Sequence, residues 1–131
     1  MSSNIKDISE LLCKLESLTD FNHSLVEAIN TSHEGIAILD KDGIYTYMND
    51  SHAKMFGYTA DEMIGKSWTI LYSESDIEWF NETVFTVIDK EGRWSGEATA
   101  ISKDTNKLVN QAVYLTSLTN GGLICTCRNK K

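Results

Sequence analysis

After Ser32 the hydrophobic period changes from about 3.6 residues to about 2, and this switch constrains the fold more than any other feature. Before it, Ile8, Leu11, Leu15, Leu18, Asn22, Leu25 and Ile29 recur in alternating steps of three and four. That is the a/d spacing of a coiled-coil seam, sustained for about three heptads, and Asn22 is the polar seam position that would fix register. Residues 1–22 are therefore expected to form an amphipathic helix that either dimerises or covers a sheet, ahead of a domain over residues 23–131. The helix either continues through Thr19-Asp20 or breaks there, with Asp20 capping a second helix over residues 21–30.

Beyond the switch, Gly35-Ile36-Ala37-Ile38-Leu39 is apolar on both faces, and a turn at Asp40-Lys41-Asp42-Gly43 follows it. Ile44-Tyr45-Thr46-Tyr47-Met48 completes a hairpin. Asn49-Asp50-Ser51 caps a short helix that ends at Gly57, and Thr59 with Glu62 has the spacing of a capping box. A longer helix is expected from Ser75 or Asp76 to about Asp89, with Ile77, Phe80, Val84, Phe85 and Ile88 at helical spacing. Residues 94–101, 108–118 and 122–128 read as strands joined by turns at Lys103-Asp104-Thr105-Asn106 and Thr119-Asn120-Gly121-Gly122. Hairpin-length connections make these strands an antiparallel meander. The order helix, β-β, short helices, β-β-β predicts an α+β domain with one five-stranded sheet.

The chain of 131 residues has room for one such domain. Its net charge of −7 repels phosphate backbones and anionic lipids, so neither nucleic acid nor a membrane surface is an expected partner. Three cysteines, an odd number, and a first segment without a basic then apolar leader predict a reducing, cytoplasmic setting.

The order and spacing of several short motifs resemble the PAS domain, a sensory module of bacterial and archaeal signalling proteins. They are Glu34-Gly35-Ile36-Ala37-Ile38-Leu39-Asp40, Asp42-Gly43-Ile44, Tyr47-Met48-Asn49, Met55-Phe56-Gly57-Tyr58-Thr59 through Glu62-Met63-Ile64-Gly65-Lys66, and Gly92-Arg93-Trp94-Ser95-Gly96-Glu97. The resemblance spans about Leu25 to Arg128. It implies an antiparallel sheet in order 2-1-5-4-3, with helices on one face around a possible ligand cavity. It also implies an N-terminal helix that packs on the outer face or on a partner subunit. Two positions depart from the family pattern. The Asp-Ile-Thr motif that often follows the last strand is replaced by Asn129-Lys130-Lys131, so the signal leaves by another route or an effector lies beyond this chain. Asn106 stands where glycine is commoner, a change that tolerance of positive φ absorbs.

Within this family, a flavin-adduct photosensor needs a cysteine in a stretch matching Gly65-Lys66-Ser67-Trp68-Thr69, which has none. Haem-binding members take an axial histidine from the long helix; residues 76–89 contain none, and His23, His33 and His52 all lie earlier. The cofactor is thus unspecified, with flavin adduct and haem disfavoured. His52 reads as a surface or cap-adjacent helix residue. Cys125 and Cys127 share a strand face, but zinc needs two further ligands and no second Cys or His pair is near in sequence, so no metal site is expected. Phosphate-cradling loops, nucleophile elbows and zinc-protease motifs are missing, so no catalytic residue is assigned. A pocket between sheet and helices is the remaining site, with Met48, Asn49, Met55, Phe56, Tyr72, Phe80, Val84, Trp94 and Tyr114 as its candidate lining. The expected function is a non-enzymatic sensor domain, belonging to a sensor histidine kinase or another signalling protein. It would bind a small ligand or cofactor, pair through Ile8, Leu11, Leu15, Leu18, Asn22 and Leu25, and pass its signal to a downstream effector. The alternative is a pure interaction module with a filled core and no ligand.

Overall fold

The computed structural model describes residues 2–104 and 107–130, with side chains from residue 7 onward. Thr105 and Asn106, placed by the sequence in a turn, lie outside the described residues. The chain divides into two compact units, Met1–Thr31 and Ser32–Lys131.

The first unit is one helix, α1 (Ser2–Asn30), which runs through Thr19-Asp20 without a break. The Thr19 hydroxyl donates to the Leu15 carbonyl one turn back, so it supports the helix instead of ending it. Ile8, Leu11, Leu15, Leu18 and Leu25 along the a/d stripe are exposed, together with Leu12, Phe21 and Val26. A stripe of this length is an unusually apolar face for a helix to expose.

The second unit contains β1 (Gly35–Leu39), β2 (Tyr45–Met48), α2 (Asp50–Met55), α3 (Ala60–Met63), a 3₁₀ turn (Trp68–Leu71), α4 (Glu74–Trp79), a π turn (Phe80–Val84), α5 (Phe85–Glu91), β3 (Arg93–Ile101), β4 (Leu108–Ser117) and β5 (Leu123–Asn129). The strands form one antiparallel sheet in the order β2-β1-β5-β4-β3, the order that the resemblance implies. Cross-strand partners share a face, so the register sorts the side chains. Leu115 lies opposite Cys125 and Trp94, and Val113 lies opposite Cys127 and Gly96. These residues point toward the helices. Ile36, Ile38, Tyr114 and Thr126 point away from them and are half-buried or exposed.

The helix ends follow the sequence closely. Thr59 and Glu62 close the expected capping box at α3, and Glu62 also forms an ion pair with Lys103. That ion pair, followed by the Thr59 amide, holds the Glu62 carboxylate below its ordinary range. Gly92 ends α5 in the left-handed conformation. Asn49, with no exposed surface, has two structural tasks. Its Oδ1 caps α2 by accepting from the His52 amide at 3.0 Å, and it also accepts from the Ile36 amide at 2.9 Å. Its Nδ2 donates to the Glu34 carbonyl at 3.0 Å. The start of α2 is thereby tied to the start of β1.

Candidate functional site

A cavity of about 550 Å³ lies between the sheet and the helical crossover. Its sheet wall is Leu39, Val113, Leu115, Leu123 and Cys125, and its helical wall is Trp68, Tyr72, Phe80, Phe85 and Ile88. The polar rim comes from two turns, Asp40 to Gly43 between β1 and β2, and Gly121-Gly122 before β5.

Local backbone choices build the aromatic wall. Backbone bonds join the Tyr45 amide to the Lys66 carbonyl (2.9 Å) and the Trp68 amide to the Gly43 carbonyl (3.0 Å), bringing the 65–68 segment against the start of β2. Gly43 has φ +77°, and a Cβ there would lie 2.7 Å from Trp68 Cδ1. Only glycine allows the indole to sit this close to the turn. The π turn does comparable work on the other side. Five residues of ordinary α-helix rotate a side chain about 140° out of line. The wider turn at Phe80–Val84 instead leaves both Phe80 and Phe85 on the cavity, with ring centroids 6.2 Å apart. Trp68 contacts both rings, at 5.3 and 5.4 Å. Tyr72 adds a polar point, because the Gln111 amide nitrogen donates to its hydroxyl at 2.8 Å. Burial pushes that phenol well above its usual pKa, so it stays neutral.

At the β1 side of this wall sits a group that sequence spacing did not suggest. His52 is 1% exposed, which overturns its reading as a surface residue, while its place beside the Asn49 cap is as expected. Its ring meets Tyr45 and Phe56 edge-on at 5.7 and 5.0 Å. His52, Cys125 and Cys127 each offer a donor atom, and these atoms all lie within 4.8 Å of one another. Gly35, opposite Cys127 in the sheet, makes the room: a Cβ there would approach Cys127 Sγ to 3.2 Å and His52 Cα to 3.0 Å. Hydrogen bonding between the sulfurs pulls the Cys125 thiol below its ordinary pKa, with the His52 imidazole assisting, and pushes Cys127 above it.

Among the candidate pocket residues, Tyr72 and Phe80 line the cavity. Met48, Phe56 and Val84 are buried in the core, with Met55 packed against it, and Asn49 is the cap described above. Trp94 packs on Trp79 and Phe80 at 5.7 and 6.3 Å. Tyr114 is 47% exposed on the opposite sheet face. Strand parity carries the signal for the missed residues: once Val113 and Leu115 face inward, Tyr114 faces outward.

A family model described as the PAS fold matches residues 24–129, most of the chain. The chain belongs to the PAS family. Solved structures with this fold include the PAS domain of a Colwellia psychrerythraea protein, with 18% identity and a TM-score of 0.76 over 84% of this chain and 97% of that one. They also include a domain of a Geobacter sulfurreducens sensory box sensor histidine kinase/response regulator, with 20% identity and a TM-score of 0.70 over 85% and 96% of the two chains. In sequence, 58 residues (44% of this chain) are 31% identical to the cell-division control histidine kinase PdhS of Brucella anthropi. That match spans 6% of the kinase's own length. This PAS domain is thus related to PAS domains of sensor histidine kinases.

Proposed function

We propose that this PAS domain is the sensory input module of a cytoplasmic signalling protein such as a histidine kinase. It has no catalysis of its own, takes a small, largely apolar ligand in the cavity and pairs with a second copy through α1. The cavity carries the first part of this proposal. Its volume falls within the usual 300–1,000 Å³ of ligand sites, roughly, and its wall is aromatic with a few polar groups at the rim. A ligand that favours one packing of the aromatic wall would shift the domain's conformational equilibrium by its differential affinity. A library screened by thermal shift, together with native mass spectrometry of the purified chain, tests occupancy. Leu123→Trp, at the half-buried edge of the cavity wall, is expected to abolish the shift while keeping the fold. Unshifted melting across the library, with no co-purified molecule, would leave an interaction module without a ligand.

The exposed a/d stripe of α1 supports the pairing. A second copy offers the same apolar stripe and a facing Asn22, the arrangement of a parallel two-stranded seam. Leu15→Asp or Leu25→Asp places a charge in that seam, and light scattering is expected to report a monomer at concentrations where the parent is dimeric. An unchanged mass for both variants would remove α1 as the dimer contact.

A further inference from the structure

We propose that His52, Cys125 and Cys127 form a zinc site with its fourth coordination position open to the cavity. Three donors of the types zinc prefers come from α2 and β5, within 4.8 Å of one another. Tetrahedral zinc with Zn–S near 2.3 Å places its sulfurs about 3.8 Å apart, so small rotamer adjustments close the site. Gly35 keeps the space beside Cys127 Sγ free of side chain. The rings of Tyr45 and Phe56 fix the His52 imidazole in place.

Charge and donor type together favour a divalent, thiolate-binding ion. Zinc bound by two thiolates and a neutral imidazole carries no net charge, which suits a buried site; each thiol gives up its proton to solvent on binding. Cu(I) with the same ligands would leave a net negative charge without a partner. Mg²⁺ and Ca²⁺ want oxygen donors, and this cluster has none. Cys125 belongs both to the cluster and to the cavity wall, so a water or a Lewis-basic ligand in the cavity can reach the metal. Three protein ligands plus one exchangeable position is the pattern of reactive zinc sites, in contrast to closed structural ones. The site stands whether or not the cavity also takes an organic ligand.

The test uses the full chain with Cys13→Ser, because Cys13 is an exposed thiol that would bind metal on its own. Metal-free protein is titrated with Zn(II) against a chromophoric chelator. One zinc per chain is expected, and Cys125→Ser or Cys127→Ser should weaken binding by more than the roughly 10–100-fold typical of losing an outer-shell partner. Far-ultraviolet circular dichroism confirms that each variant is folded. Co(II) in place of zinc is expected to give thiolate charge-transfer bands and intense tetrahedral d–d bands in the Cys13→Ser chain, both lost on Cys127→Ser. His52→Asn should retain the thiolate bands and weaken the metal. Absence of stoichiometric binding, equal affinity in the cysteine variants, or a cobalt spectrum without thiolate bands would each overturn the site.

Discussion

Asn49→Leu is expected to destabilise the domain by about 3–5 kcal/mol, a large share of the roughly 5–15 kcal/mol that holds a typical domain together. The side chain is fully buried and satisfies three backbone groups: the amides of Ile36 and His52 and the carbonyl of Glu34. Leucine fills a similar volume but pairs with none of them, and each buried group left without a partner costs about 1–3 kcal/mol. Loss of the cap accounts for about 1 kcal/mol of this. Asn49→Asp separates the contributions. It keeps the acceptor for both amides but turns the Nδ2 donor into a second acceptor facing the Glu34 carbonyl, so its loss should be intermediate. Urea unfolding followed by tryptophan fluorescence suits the measurement, since Trp68, Trp79 and Trp94 all lie in the unit that Asn49 ties together. A shift of less than about 1 kcal/mol for the leucine variant would show that water or a relaxed loop replaces the side chain.

The same residue shows what the sequence could and could not reveal. A polar residue between a strand and an apolar-periodic segment is a recognisable helix cap, and Asn49 reads as one from sequence alone. Its second hold, across to β1, depends on tertiary packing and leaves no local trace. The meander was legible because strand-forming runs and turn residues alternate through residues 93–129, whereas the full strand order came only from the resemblance to the PAS domain. The burial of His52 was not legible. α2 is only six residues long, too short for a hydrophobic period to reveal its inner face. The cysteines that meet His52 come from the last strand, and no sequence spacing links positions so far apart. Burial of an imidazole there follows from the closeness of α2 to β1, which a glycine allows. The cavity lining was partly legible for a similar reason. Aromatic residues marked the wall, but the π turn that aligns Phe80 with Phe85 breaks the regular period on which their placement rests.

That closeness gives the second large effect: Gly35→Val is expected to lower stability by about 2–4 kcal/mol, at the upper end of the usual cost of a small-to-large change in a packed interior. The backbone at Gly35 is ordinary strand, so strain comes from contact and not from φ. Cβ alone would meet His52 Cα at 3.0 Å and Cys127 Sγ and His52 Cβ at 3.2 Å. The first of these is backbone, so α2 itself must move. Valine adds two methyl groups in the same space. Gly35→Ala should be milder, because reduced freedom of the unfolded chain returns about 0.4–1 kcal/mol. A double-mutant cycle shows which neighbour resists. Cys127→Ala removes the sulfur and should recover part of the alanine variant's loss, while the contact with the His52 backbone persists. Full recovery would mean that the sulfur alone limits the approach. No recovery would place the whole resistance in α2, and an unperturbed Gly35→Val chain would mean that β1 and α2 are not packed this closely in solution.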